Sequence, residues 1–215
     1  MNDSIVIDLF EKSVASYTHA PFGVAVSSQT NAVFLCLELL KSKGVIQQGD
    51  VIQVPQRTYM SIPMTIINAG CLIEFTDEQW SGCYQLHPTS IWDAAVRFTS
   101  KMYIPGSLFC VSFQYKKALP IGRGGMILTD NKEYYSLLKK LRFNGRTDGL
   151  LVDDDCLLFQ GWNMYMTPEQ AARGLTFMSF IKEHNEDIAR WDDYPDVSQQ
   201  PVFKQFSHQK TQGII

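Results

Sequence analysis

Along the first half of the chain, stretches with apolar residues at helical spacing alternate with short continuous apolar runs. Ile5, Leu9, Phe10 and Val14 follow helical spacing and predict a first helix. Shorter apolar runs bounded by polar residues, glycine or proline predict strands. The predicted strands cover residues 22–26, 50–55 and 71–75, and the helices between them cover residues 32–43 and 61–69. Such alternation is typical of right-handed crossovers, so we predict an α/β fold with a mainly parallel sheet.

The second half of the chain carries a less regular pattern of the same kind. Two apolar runs predict buried strands, and a further helical pattern begins at Thr167, a good N-cap residue. The strands cover residues 107–113 and 125–129, the helices cover residues 134–142 and the stretch from Thr167 to about Ile181, and residues 148–160 predict a loop. No internal repeat interrupts this order.

The length of 215 residues is enough for one large domain with at most a small appendage. After Asp187 the chain becomes polar and contains proline. We therefore predict a compact domain over residues 1–191 and a polar C-terminal tail over residues 192–215, and we expect the tail to be loosely held.

Composition and charge argue against several classes of protein. Hydrophobic residues make up 45% of the chain, which is ordinary for a globular protein and excludes a disordered or fibrous one. The formal net charge of -3 argues against a dedicated nucleic-acid binder. No stretch approaches the roughly 20 apolar residues of a membrane helix, and the start of the chain lacks the basic region of a secretory signal.

Cysteine and histidine usage indicates a reducing compartment and no metal site. The five cysteines are odd in number, scattered and never arranged as C-x-x-C. Most lie in apolar runs, where a free thiol behaves as a small hydrophobic group. The four histidines are not clustered with them, so we expect a cytoplasmic protein without a structural metal.

Residues Ser28, Gln29 and Thr30 form the first candidate site, because they lie between a predicted strand and a predicted helix. The free N–H groups and the dipole at a helix N-terminus favour a bound phosphate. Simple N-capping by Ser28 or Thr30 explains the same residues equally well.

Asp93 is the second candidate, because it follows a short apolar run and precedes two alanines. A carboxylate at the end of an apolar strand is costly to bury without a partner, so we expect a charged or hydrogen-bonding neighbour. A helix cap is the alternative interpretation.

The third candidate is a lysine pair, Lys116 and Lys117, that follows a buried strand and precedes a glycine-rich turn at residues 122–125. A lysine held at such an edge can form a Schiff base. A solvated lysine pair in a hairpin loop is the alternative, and the glycine-rich run lacks the pattern of a phosphate-binding P-loop.

The order of these three features resembles the DegT/DnrJ/StrS family of sugar aminotransferases, which are fold-type I enzymes that use pyridoxal 5'-phosphate (PLP). The resemblance runs from about Phe10 to Met178. The matching stretches are residues 24–32, 49–55, 58–59, 93–95, 112–117, 124–129 and 161–172. It implies a three-layer α-β-α sandwich of the large-domain type found in PLP-dependent transferases, in a shortened form without the C-terminal small domain.

The resemblance implies catalytic roles for two residues and a stacking role for a third. Lys117 matches the family lysine that bonds covalently to PLP, with Lys116 as the neighbouring alternative. Asp93 matches the aspartate that keeps the pyridine nitrogen protonated. Tyr59 matches the aromatic position that stacks on the cofactor ring.

Four further residues match positions that bind the cofactor phosphate. Gln29 and Thr30 would donate from the helix N-terminus, and Ser112 would bind the same phosphate. Asn163 matches an asparagine that reaches the phosphate from a neighbouring subunit, which implies a homodimer with shared active sites.

The resemblance implies transfer of an amino group from glutamate to a keto group of a nucleotide-linked sugar in polysaccharide or glycan biosynthesis. Family relatives that replace the lysine become dehydratases, so Lys117 favours the transaminase. A catalytically impaired or non-catalytic relative that acts as a subunit or scaffold is the alternative, and generic phosphate binding at the turn is a third hypothesis.

The sequence departs from the family pattern at several positions. Gln29 stands where glycine is usual, and Val96 stands where a histidine or glutamine commonly contacts the cofactor. Arg123 and Tyr165 also differ from the residues common at their positions. Only residues 76–92 remain where the family normally carries a further strand and helix before the aspartate.

Overall fold

The structure is a computed structural model that describes residues 4–207. Helices and strands alternate as far as residue 76, after which four further strands follow one another before the next helix. The helices are α1 (Ser4–Thr18), α2 (Gln29–Ser42), α3 (Ser61–Asn68), α4 (Lys132–Leu141), α5 (Pro168–Met178) and α6 (Pro201–Lys204). The strands are β1 (Phe22–Val26), β2 (Val51–Pro55), β3 (Leu72–Thr76), β4 (Tyr84–Gln85), β5 (Ile91–Ala94), β6 (Leu108–Ser112) and β7 (Gly125–Thr129). All the helices and strands predicted from apolar spacing are present, with ends that differ by a few residues.

The strands form a mixed five-stranded sheet in the order β1-β7-β6-β5-β4 and a separate parallel pair, β2-β3. Within the larger sheet β5 and β6 are parallel, whereas β7 is antiparallel to both of its neighbours and β4 is antiparallel to β5. The α/β fold is confirmed, with a mixed rather than a mainly parallel sheet. The predicted crossover β2-α3-β3 gives a parallel pair, whereas β1 and β2, on either side of α2, lie in different sheets. Strands β6 and β7 are joined by a loop without a helix, which favours antiparallel pairing.

Helices cover both faces of the larger sheet. Along β6, Leu108 and Cys110 point into a core with α2, α3 and α4, whereas Phe109 and Val111 point into a second core with α1 and α5. Successive residues of a strand face opposite sides, so a continuously apolar strand is buried on both. This arrangement is the predicted three-layer sandwich.

In helix α1 the apolar spacing predicted the helix correctly but not all of its buried residues. Phe10 and Val14 are fully buried, as expected, but Ile5 and Leu9 are about half exposed. The buried face continues through Ile7 instead. This face packs on α5, where the absence of a side chain at Gly174 makes room: a Cβ there would lie 2.5 Å from the ring of Phe10.

The C-terminal segment packs against the domain, so the expectation of a loose tail is wrong for residues 192–207. Val197 and Phe203 are buried, and the Val197 amide donates to the Gln56 carbonyl. The Ile73 amide of β3 donates to the Phe206 carbonyl, which extends the edge of the small sheet. Residues 208–215 lie outside the described residues, and the domain boundary after residue 191 stays a prediction.

No helix within residues 4–207 is long and apolar enough to cross a membrane.

Replacing Phe203 tests the packing of the C-terminal segment. Its side chain is 1% exposed and lies 5.7 Å from the Phe75 ring, centroid to centroid. We expect Phe203→Ala to lower the free energy of unfolding by about 3–5 kcal/mol in urea titration. The neighbouring control Val202→Ala removes a side chain that is 40% exposed and should cost less than about 1 kcal/mol. Equal small effects from both variants would contradict this packing.

Candidate active site

A cleft of about 610 Å³ opens at the edge of the sheet where the parallel-running strands β1, β5 and β6 end. Ligands of α/β proteins bind outside the carboxyl ends of such strands. Of the residues singled out from sequence, Gln29, Thr30, Tyr59, Asp93, Ser112, Lys116 and Lys117 line this cleft. Asn163 instead lies exposed at the surface, where it pairs with Phe143 through an isolated β-bridge.

The turn between β1 and α2 is both an N-cap and a potential anion site. The Ser28 hydroxyl accepts a hydrogen bond from the Asn31 amide at 3.1 Å, so the capping interpretation is confirmed. The first carbonyl-bonded amide of the helix is that of Ala32, which donates to Ser28. The N–H groups of Gln29 and Thr30 precede it and have no partner within the helix. They lie at the positive end of the helix dipole, next to the cleft.

Gly125 allows β7 to lie directly against this turn. It pairs with Val26 at the end of β1, and a Cβ at this position would lie 2.5 Å from the Gln29 nitrogen and 2.6 Å from the Ser28 carbonyl carbon. Any larger residue would therefore have to displace the turn. The glycine-rich run has a structural role here that its sequence did not reveal.

Asp93 is buried in β5 and accepts three hydrogen bonds. The Tyr84 hydroxyl donates to Oδ2 at 2.8 Å, and the Gln29 amide and the Ala95 backbone N–H donate to Oδ1 at 3.0 and 2.8 Å. Burial raises the pKa of the carboxyl, and these donors and Lys117 oppose that rise. The expected hydrogen-bonding partners are present, and the helix-cap alternative is wrong because Asp93 lies in a strand and bonds within a turn.

The Gln29 side chain does not point to the predicted phosphate position. Its amide nitrogen is bonded to Asp93, so a phosphate contact at this residue would have to come from the backbone N–H. The Thr30 hydroxyl donates to Ser61 at 3.2 Å. The cofactor-binding roles of Gln29 and Thr30 stay predictions.

Lys117, rather than Lys116, interacts electrostatically with Asp93. Lys117 is half-buried, and burial lowers its pKa while Asp93 raises it and Lys116 lowers it again. Lys116 is exposed, and its ammonium lies 5.5 Å from the centre of the Tyr115 ring. The structure thus distinguishes two lysines that are adjacent in sequence.

Aromatic residues that sequence reasoning did not assign to the site form another wall of the cleft. Trp80 and Tyr194 line it, and their rings lie 5.5 Å apart. Arg57 anchors Tyr194 by donating to its backbone carbonyl at 2.9 Å. Tyr194 belongs to the C-terminal segment, and only the long-range fold brings it to the cleft. Val96, at a position that is commonly polar in the resembled family, is buried beside the same cavity.

Within residues 4–207, no group of three or more histidine, cysteine, aspartate or glutamate side chains is arranged to hold a metal ion.

Comparison with known proteins finds a matching family model, a curated relative and similar solved structures. The DegT/DnrJ/EryC1/StrS aminotransferase family model matches residues 5–105 and 105–190. A curated relative is the spore coat polysaccharide biosynthesis protein SpsC of Bacillus subtilis (strain 168), which is 26% identical over 183 residues. That match covers 65% of this chain and 46% of the relative, so the chain spans about half the length of SpsC.

Solved structures share the fold. AtS13 from Actinomadura melliaura superposes with a TM-score of 0.70 at 19% identity, covering 82% of this chain and 60% of AtS13. GDP-4-keto-6-deoxymannose-3-dehydratase with a trapped PLP-glutamate geminal diamine gives a TM-score of 0.70 at 18% identity, covering 82% and 61% of the two chains. At these identities the likeness concerns the fold alone.

Competitive acetylation followed by peptide mass spectrometry tests the electrostatics of the lysine pair. We expect Lys117 to titrate below the value of about 10.4 that is usual for lysine. Asp93→Asn should lower the pKa of Lys117 further because it removes a negative charge, whereas Lys116→Ala should raise it because it removes a positive one. Shifts of the same sign in both variants would contradict this geometry.

Proposed function

The chain belongs to the DegT/DnrJ/EryC1/StrS aminotransferase family, and from that premise we propose that it binds PLP in the cleft and acts as an aminotransferase. The observation that carries the proposal is the meeting of a buried carboxylate, Asp93, with a half-buried lysine of lowered pKa, Lys117, in one cavity. Perturbed titratable groups that converge in a cleft are typical of active sites.

The residues of the cleft fit this cofactor. Gly125 leaves space for the turn at the N-terminus of α2, where a phosphate would accept from backbone N–H groups. Ser112 is buried at the end of β6 on the same cavity and would bind the phosphate from a second side. Tyr59 is 62% exposed along the cleft wall and is available to stack on a planar ring.

When bound, PLP supplies an aldehyde carbon that joins an amine and a protonated ring that withdraws electrons from the substrate. Asp93 would hold the proton on the ring nitrogen, because a buried carboxylate opposite that nitrogen favours the positively charged, protonated form of the nitrogen. The lowered pKa of Lys117 increases the fraction of neutral amine, which is the form that bonds to a carbonyl and that accepts a proton.

We propose glutamate as the amino donor and a keto group on a nucleotide-linked sugar as the acceptor. The relatives support this class: SpsC is named for spore coat polysaccharide biosynthesis, and one solved structure holds PLP with glutamate. The presence of Lys117 favours the aminotransferase over the dehydratase that shares the fold. A role in polysaccharide or glycan biosynthesis follows from the same class of substrate.

We also propose a homodimer in which the exposed Asn163 reaches the phosphate of the neighbouring site. The loop before it carries large apolar side chains that are unusually exposed, with Leu151 at 73% and Leu158 at 75%. Large apolar side chains exposed close together in sequence favour an interaction site at this loop.

The free thiols support a reducing, cytoplasmic environment. All five cysteines are unpaired, and four of them are buried. Disulfides are typical of oxidising compartments, so unpaired cysteines favour the cytoplasm.

A PLP-binding relative without turnover is the second candidate function. Val96 favours it, because its buried apolar side chain provides no hydrogen bond to a cofactor from that position on the cleft. Such a protein would bind the cofactor at Lys117 without exchanging its amino group with a donor.

Spectral titration with PLP tests cofactor binding and its covalent residue. We expect the absorbance of PLP to shift on binding to the native chain and to Lys116→Ala, but not to Lys117→Ala, because Lys117 is the member of the lysine pair that interacts with Asp93. Glutamate should then convert the bound spectrum to that of the amine form. Binding that survives in Lys117→Ala would refute the covalent role, and binding without a response to glutamate would favour the second candidate.

Asp93→Asn separates binding from turnover. We expect this variant to retain part of the PLP affinity but to lose most of its turnover, at least about 100-fold, since the ring nitrogen would no longer be held protonated. Single-turnover kinetics of the spectral change with glutamate measure this loss. Unchanged turnover would contradict the role of Asp93.

Sedimentation analysis tests the homodimer. We expect the native chain to sediment as a dimer and Leu158→Lys to sediment as a monomer, because the charge would be placed in the apolar contact. Phe180→Lys is the control, since Phe180 is similarly exposed, at 79%, but lies outside this loop. A monomeric native protein with full activity would overturn the proposal.

A further inference from the structure

Tyr84 makes a direct contact with the buried carboxylate of the site. It lies opposite Asp93 in the β4–β5 pair and is 3% exposed. Its hydroxyl donates to Asp93 Oδ2 at 2.8 Å. The residue comes from the stretch 76–92 in which this sequence departs from the family pattern, and its aromatic side chain is readily mistaken for packing material.

The direction of this hydrogen bond is fixed by a second one. Tyr84 and Thr58 hydroxyls are also hydrogen-bonded to each other. A hydroxyl has one proton to donate, and an ionised carboxylate can only accept. The Tyr84 proton is directed to Asp93, so Thr58 donates to Tyr84, and the three groups form a chain that ends at the carboxylate.

The ring of Tyr84 is held independently of its hydroxyl. It packs on Trp80 with a centroid distance of 5.0 Å, and the Trp80 indole donates to the Arg57 carbonyl at 2.9 Å. Tyr194 also packs on Trp80, with a centroid distance of 5.5 Å. Removal of the hydroxyl alone should therefore leave the ring in place.

We propose that Tyr84 is a positioning residue that, together with Gln29, orients the Asp93 carboxylate toward the cleft and keeps it ionised. If the proposed function holds, on which this part of the proposal rests, Tyr84 also keeps Asp93 able to pair with the protonated ring nitrogen of PLP. Gln29 fixes Oδ1 and Tyr84 fixes Oδ2, so the carboxylate cannot rotate without breaking both bonds. Gln29 lies at the start of α2 and Tyr84 lies on β4. Their hydrogen bonds therefore connect both elements, and the turn between β1 and α2, to the Asp93 carboxylate.

The groups that interact electrostatically with Asp93 come from several elements. The titratable ones are Tyr84 on β4, Lys117 in the β6–β7 loop, Tyr194 in the C-terminal segment, Cys110 on β6 and Cys83. Among these, Lys117 and Tyr84 favour the ionised carboxylate. Tyr84→Phe removes one of these two influences and leaves Lys117 unchanged.

The sign of the expected pH dependence follows from the ionised form. Burial raises the folded-state pKa of Asp93 above its usual value, so the carboxyl is ionised at the upper end of the pH range and takes up a proton as the pH falls. A hydrogen bond to an ionised acceptor is stronger than one to a neutral acceptor. Loss of the Tyr84 hydroxyl should therefore cost more stability at the higher pH.

Unfolding of the protein without cofactor tests the positioning role. We expect Tyr84→Phe to raise the unfolding equilibrium constant about tenfold more at pH 8 than at pH 4, relative to the native chain. In an Asp93→Asn background the same substitution should show no such pH dependence. Tyr17→Phe is the matched control, because the Tyr17 hydroxyl donates to the backbone carbonyl of Lys182 at 2.6 Å and should give an equal cost at both pH values.

PLP titration adds the second arm of the experiment. We expect the PLP affinity of Tyr84→Phe to weaken relative to that of the native chain as the pH is lowered from about 8 to about 6, because Asp93 in this variant protonates at a higher pH than in the native chain. Thr58→Val should shift the pH dependence of PLP binding in the same direction but by a smaller amount. This variant replaces Tyr84→Phe in the test if Tyr84→Phe folds poorly.

The two arms separate the two proposals. An effect of Tyr84→Phe that is the same at both pH values and persists in Asp93→Asn would overturn the positioning role and leave Tyr84 a packing residue. A native chain that does not bind PLP would overturn the proposed function, whereas a pH-dependent coupling in unfolding would still support the contact between Tyr84 and Asp93.

Discussion

The burial of one carboxylate, Asp93, constrains the whole site. A charged group removed from water is costly unless hydrogen bonds replace its hydration. Here the replacement comes from three separate parts of the chain: Gln29 at the start of α2, Tyr84 on β4, and the backbone after β5. These elements must meet for the carboxylate to be stable, and their meeting creates the cleft into which Lys117 points.

Close backbone packing then sets the other side of the cleft. Gly125 brings β7 against the start of α2, and the β6–β7 loop that precedes it carries Lys117. The C-terminal segment adds Tyr194 to the wall through its contacts with Arg57 and Trp80. The packing of these strands, helices and loops therefore brings polar groups from distant parts of the sequence together around one cavity.

Sequence reasoning predicted the elements better than the contacts. Buried strands such as residues 108–112 have apolar runs that are visible locally, and Thr167 caps α5 as predicted, in a capping box with Gln170. The two-residue strand β4 is too short to show a period, so Tyr84 was missed as a partner of Asp93. The hydrogen bond from the Gln29 side chain to Asp93 was not predicted, because nothing near Gln29 in sequence indicates a carboxylate 64 residues away. The packing of Phe203 likewise depends on the tertiary fold and not on its polar neighbours.

The most direct measurement is to locate the covalent bond between PLP and the chain. The native protein is treated with PLP, reduced with borohydride, digested and mapped by mass spectrometry. Because Lys117 is half-buried beside Asp93 while Lys116 is exposed, the pyridoxyl mass should be found on Lys117 at stoichiometric amounts. Labelling of Lys116, or weak labelling spread over surface lysines, would contradict the site described here.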